Sequence, residues 1–228
     1  MQVEVRHSPS FAVARVHLAP GEQLQAESGA MAMTSLGMQI QSTMKGGVMG
    51  ALRRGVLGGE SLFVTTFTAH PQAAGWVDIA ANLPGDIVMF DVAPERGLVL
   101  TRGSWLGNGP GVQLDTKWGG SRMFFGGEGG FVIHCTGQGQ VVGACYGALD
   151  RHDLDTGQGF TVDSGHLVAY TDQVQVTTRT ATAGMMQTLK SGEGLVMDLI
   201  GPGIVWTQSR SPNALVRWLS SVLPGNRG

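Results

Sequence analysis

A Gly-Glu pair leading into an apolar run occurs three times in this 228-residue chain. The strings are Gly58-Gly-Glu-Ser-Leu-Phe-Val64, Gly126-Gly-Glu-Gly-Gly-Phe-Val132 and Ser191-Gly-Glu-Gly-Leu-Val196. The pairs are Gly59-Glu60, Gly127-Glu128 and Gly192-Glu193, with the glutamates 68 and 65 residues apart. The second and third copies keep matching, since Phe131–Gly139 aligns with Leu195–Gly203. A second signature, Pro20-Gly-Glu-Gln-Leu-Gln-Ala-Glu-Ser-Gly-Ala-Met31, matches Thr156-Gly-Gln-Gly-Phe-Thr-Val-Asp-Ser-Gly-His-Leu167. Pro84-Gly-Asp-Ile-Val-Met-Phe-Asp91 reads as its weaker middle copy. Repeated units of this kind share one core with their neighbours. No Pro/Ser/Gly-rich linker separates them. We therefore read one domain, 1–228, of three units at roughly 1–75, 76–143 and 144–210. A glutamate recurring in every unit is expected to hold a turn by accepting backbone N–H bonds.

The units read as strands. Short apolar or alternating runs recur between glycines, for instance Val3–Arg6, Leu62–Phe67, Phe131–Thr136, Val141–Tyr146 and Leu195–Ile200. Val174-Gln-Val-Thr177 alternates as a strand with one wet face should. Glycine, at 36 residues, is about twice its usual share, but it has no period of three and is not collagen-like. Many short strands with Gly-rich turns imply an all-β sandwich, barrel or β-helix. One helix is expected over 212–223. Ser211 caps it, Pro212 suits its first turn, and Leu215, Trp218, Leu219 and Val222 form a stripe expected to dock it. Segment 44–57 differs from both patterns. It is rich in Gly and Met and carries Lys45, Arg53 and Arg54 with no acid. With Met49 and Leu52, these residues form a candidate surface for a neighbouring subunit or an anionic membrane.

Charge excludes some functions. A net charge of −2 gives no basic footprint for nucleic acid. No apolar run approaches the roughly 18 residues of a membrane-spanning helix. The first residues lack the apolar core of a signal peptide, so a cytoplasmic protein is expected. Cys135 and Cys145 cannot form a disulfide framework and read as small buried hydrophobes. No His-x-His occurs, and His134 and Cys135 alternate to opposite strand faces, so no metal site is expected. Asp163, Ser164 and His166 are too close in sequence to converge as a triad. The glycine runs lack the strand–helix context and Gly-Lys-Ser/Thr of a phosphate loop. No catalytic residue and no cofactor is assigned.

Five ordered motifs resemble those of one family. They are the Pro20–Met31 string, the basic Gly-rich segment before Gly59-Glu60, Phe124-Phe-Gly-Gly-Glu-Gly-Gly-Phe131, Val162-Asp-Ser-Gly-His-Leu-Val-Ala169 and the closing Ser191-Gly-Glu-Gly-Leu-Val196. The family is the bacterial and mitochondrial one named after altered inheritance of mitochondria. The resemblance implies a fold similar to the tryptophan RNA-binding attenuation protein: a double-stranded β-helix, or β-sandwich, of internal repeats. It also implies a role near inner-membrane organisation, with no catalytic residues to carry over. The function expected is a non-enzymatic homo-oligomeric scaffold or interaction protein, supporting membrane-associated complexes. Two alternatives stay open. One is a small-molecule or metal-binding β-helix with a pocket at His134, His152 or His166; the other is a peripheral membrane module.

Overall fold

A computed structural model describes residues 1–45, 62–101, 103–118, 131–180 and 195–223. Among these the chain is all β apart from one short C-terminal helix and a 3-10 turn at Ser164–His166. After an opening strand β1 (Gln2–Arg6), the strands fall into three sets of six. The first set is β2 (Val13–Leu18), β3 (Gln23–Glu27), β4 (Met31–Thr34), β5 (Gln39–Lys45), β6 (Leu62–Thr68) and β7 (Gly75–Ile79). The second is β8 (Ile87–Val92), β9 (Leu98–Thr101), β10 (Trp105–Asn108), β11 (Val112–Trp118), β12 (Phe131–Gly137) and β13 (Gly139–Ala144). The third is β14 (Leu149–Leu154), β15 (Gly159–Asp163), β16 (Leu167–Thr171), β17 (Gln175–Thr180), β18 (Leu195–Ile200) and β19 (Gly203–Gln208).

One pairing rule governs each set. The first and third strands flank the sixth, and the second and fourth flank the fifth, all antiparallel. The third strand carries the same irregularity every time. Its register on the sixth strand slips between Met31 and Met33, between Trp105 and Gly107, and between Leu167 and Ala169. A bulge repeated at one place is a built feature that bends the strand and re-aims its side chains. It also aligns the sets residue by residue: Met33 corresponds to Gly107 and Ala169, and Asp78 to Val142 and Trp206.

The register revises the sequence alignment. Glu27, Thr101 and Asp163 occupy one position, each closing the second strand of its set. The middle copy of the Pro20–Met31 signature is thus Pro94–Trp105, not Pro84–Asp91, most of which forms the first strand of the second set. The middle copy keeps Pro94, Leu98 and Gly103 but lost the acid-Ser, which hid it. Gly29 and Gly103 hold matching turns at φ of +93° and +83°, a region that side-chain-bearing residues avoid.

The sets join through their sheets. Strand β3 of the first pairs with β10 of the second, Ala26 facing Gly107 and Gln25 facing Asn108. Strand β9 of the second pairs with β16 of the third, Leu100 facing Ala169 and Val99 facing Tyr170. This yields two six-stranded sheets, β5-β6-β3-β10-β13-β8 and β11-β12-β9-β16-β19-β14. The remaining strands form a four-stranded sheet, β1-β2-β7-β4, and a three-stranded sheet, β15-β18-β17. The core follows the same rule. The first cluster, around Val16, Leu24, Phe67 and Ile79, is completed by Ile87, Leu106 and Val142 of the second set. The second, around Phe90, Leu100, Ile133 and Val141, is completed by Val168 and Trp206 of the third, with Trp206 edge-on to Phe90 at 4.8 Å between ring centres.

The helix α1 (Pro212–Val222) starts as its sequence predicts: Ala214 N donates to Ser211 Oγ at 3.4 Å, with Pro212 in the first turn. Its stripe is not docked. Leu215 and Leu219 are half-buried, but Trp218 is 60% and Val222 56% exposed, and no residue of the helix is buried. Helical spacing establishes that a stripe exists, not that this chain has a surface to cover it.

Candidate functional site

The turns between the second and third strands of the three sets converge. They meet the segments leaving the sixth strands around a cavity of ≈ 380 Å³. Glu27 comes from the first set, Thr101 and Ser104 from the second, and Ser164 and Gly165 from the third. Asn82 follows β7, Cys145 and Tyr146 follow β13, and Gln208 with Asn213 mark the passage from β19 to the helix. Equivalent parts of all three sets thus form one wall.

Most polar groups here are already committed. Thr101 Oγ1 lies 3.0 Å from Leu167 O and 3.2 Å from Val168 O, tying the second set to the third, and 3.1 Å from Ser104 Oγ. The Gln208 amide spans two segments, accepting from Tyr146 N at 2.8 Å and donating to Gly165 O at 2.9 Å. The third turn is a 3-10 turn, with Gly165 N donating to the Asp163 carboxylate at 2.8 Å. A Cβ on Gly165 would collide with Ser211 Oγ, so glycine is what lets this turn sit under the helix cap. Among the described lining residues, Glu27 carries the only carboxylate and none is cationic. Burial raises the Cys145 thiol pKa, so it stays protonated at neutral pH. Beside the Glu27 carboxylate, the described lining offers neutral hydrogen-bonding groups and apolar walls.

The three histidines weighed from sequence do not converge on it. His134 sits on β12 with Nε2 3.7 Å from Asp172 Oδ2, beyond hydrogen-bond reach. His152 Nε2 is 3.0 Å from Thr207 Oγ1, with its ring beside Phe160. His166 Nδ1 donates to Gln208 O at 2.7 Å, so Asp163, Ser164 and His166 form a turn, not a triad. Cys135 and Cys145 are free and buried, and burial pushes the Cys135 thiol up to about 12. The described residues contain no cluster of three His, Cys, Asp or Glu arranged to hold a metal. Gly59, Glu60, Gly127, Glu128, Gly192 and Glu193 lie outside the described residues, as do Met49, Leu52, Arg53, Arg54 and the Lys45 side chain. The signature segments each join the fourth strand of a set to the fifth, whose ladders end at Lys45 facing Leu62, Trp118 facing Phe131, and Thr180 facing Leu195.

Sequence reasoning missed a buried ion cluster. The Asp78 side chain, fully buried on β7, accepts from Arg15 Nε at 2.8 Å, Arg15 Nη2 at 2.9 Å and Arg6 Nη2 at 2.6 Å. Arg15 also stacks over Trp76, 3.9 Å from the ring centre. The Arg15 hydrogen bond, helped by Arg6, holds the Asp78 carboxyl below its usual range. Arg15 faces Asp78 across β2 and β7, and Arg6 reaches in from β1. No motif marks three charges this far apart in sequence.

No helix of the described residues is long and apolar enough to cross a membrane. A protein of Streptococcus pyogenes serotype M6, itself uncharacterized, is 26% identical over 232 residues, covering 98% of this chain and 92% of the relative. A crystal structure of a Streptococcus pyogenes protein superposes with a TM-score of 0.82 at 24% identity, covering 97% of this chain and 99% of that one. The two share a fold. A family model described as mitochondrial biogenesis AIM24 matches residues 3–210, from within β1 to past β19, and the chain belongs to that family.

Proposed function

We propose that the protein is a non-enzymatic scaffold that self-assembles and holds partners through apolar surface it does not bury itself. One observation carries this reading: helix α1 forms with its cap in place yet leaves Val216, Trp218 and Val222 in solvent, and Leu223 just past it is exposed too. An amphipathic helix is normally stabilised by packing its stripe, and tryptophan is enriched where partners dock. The committed hydrogen bonds of the cavity wall fit the same reading, because they leave few groups to perform chemistry. Sedimentation velocity tests it. The expected species is a multiple of the 23.9 kDa chain. A strict monomer at every concentration contradicts self-assembly.

A second reading, binding of a small neutral polar molecule, is favoured by the cavity, whose ≈ 380 Å³ falls within the range of ligand sites. Native mass spectrometry separates the two. A persistent small adduct supports the ligand; clean multiples of the chain mass support the scaffold alone.

A further inference from the structure

The strand-pairing rule stops one step short. Within the chain, the second strand of one set pairs with the third strand of the next, at β3 with β10 and at β9 with β16. The remaining strands of those two types are β15 and β4. Among the described residues β15 pairs only with β18 and β4 only with β7. The two strands that the rule would join are both sheet edges.

Burial shows the same interruption independently. Strand β10 is buried throughout, and β16 nearly so. In β4, Met31, Ala32 and Met33 are all exposed, Met33 at 52%. The cores differ likewise. The first and second clusters hold fifteen and fourteen buried residues, each including side chains from the following set. The third holds five, Leu167, Val174, Met197, Leu199 and Val205, and no following set contributes. Phe160 and Val162 of β15 pack on its rim only partly buried. One edge therefore lacks a cover for apolar groups, and the other displays apolar groups without a cover.

We propose that a second copy of this chain closes the gap, with β15 of one protomer pairing antiparallel with β4 of another. This rests on the scaffold reading and names its interface. Transferring the register of the two internal junctions places Met33 opposite Val162 and Thr34 opposite Thr161. Met33 then lies over the third core, where Ala169 lies over the second. A flexible methionine suits a junction whose neighbour is the Asp78 ion cluster rather than Val142 or Trp206. A second copy carries both of the missing strands, each with the residues that stand at the two internal junctions, which are antiparallel throughout. Unpaired edges are templates for another chain unless they are blocked.

Disulfide trapping tests the contact on the full chain. Cross-strand neighbours fall within the Cα separation a disulfide requires. The double variant Met33→Cys/Val162→Cys, oxidised with oxidised glutathione, is expected to give covalent multimers on a non-reducing gel, with each single variant far less effective. Met33→Asp is expected to weaken self-association by about tenfold or more, read by sedimentation across a dilution series, because it places a charge on a side chain exposed in the isolated chain. An intrachain disulfide would overturn the proposal by showing that the two edges close on each other. An assembly that persists in Met33→Asp and does not cross-link would also overturn it, while leaving the scaffold reading intact. A wild-type monomer would remove that reading itself.

Discussion

Asp78 is the residue whose environment is set most completely by its neighbours. Removing its charge leaves Arg6 and Arg15 facing each other without an anion. Asp78→Asn is therefore expected to cost about 2 kcal/mol, the scale of charged hydrogen bonds. That is a Tm loss of roughly 4–8 °C for a chain of this size. The pH dependence has a definite sign. A carboxyl held below its ordinary value stabilises the fold above the unfolded pKa of about 3.9, and that stability is lost as pH falls through the folded value. The Tm gap between wild type and Asp78→Asn should be constant near neutrality and shrink below about pH 4. A gap unchanged into acid would mean the cluster acts by shape alone. The thiols give a second residue-scale expectation. Cys135 and Cys145 are buried and held protonated, so neither should react with Ellman's reagent at pH 8 until the protein unfolds. Their character was legible from apolar strand contexts. The Asp78 cluster was not, because register across β1, β2 and β7 assembles it, and one sequence shows no register.

Among the elements, α1 separates what local sequence specifies from what it does not. Ser211, Pro212 and the 3.6-residue spacing define where the helix lies. Nothing local says whether the stripe meets a surface. Trp218→Ser is expected to leave Tm unchanged within about 0.5 kcal/mol, as an exposed substitution should, while reducing partner binding or assembly. Ser211→Ala removes the cap and is expected to lower stability by about 1 kcal/mol. A large loss of Tm in Trp218→Ser would show that the stripe is packed after all. The turns tell a related story. Acid-Ser-Gly was readable at Glu27–Gly29 and Asp163–Gly165, but the middle copy kept only its glycine, at Gly103. The cavity where these turns meet was invisible, because its walls come from segments more than 100 residues apart.

For the whole molecule, the Gly-Glu spacing announced units of near-equal length, and glycine-punctuated strands announced all-β architecture. The pairing graph puts the sets at 13–79, 87–144 and 149–208, so β7 belongs with the first unit and the first junction falls past residue 75. The step from units to a chain with one open junction needed side-chain burial. Met33 looks like any strand methionine until Gly107 and Ala169 occupy its place elsewhere. Amide hydrogen exchange measured across a dilution series tests this most directly. Within Ala32–Thr34 and Phe160–Val162, the amides that do not bond to β7 or β18 should be protected at high protein concentration and lose protection together on dilution, while those of β10 and β16 stay protected throughout. Fast exchange of those outward amides of β4 and β15 in a sample that sediments as a multimer would contradict the account.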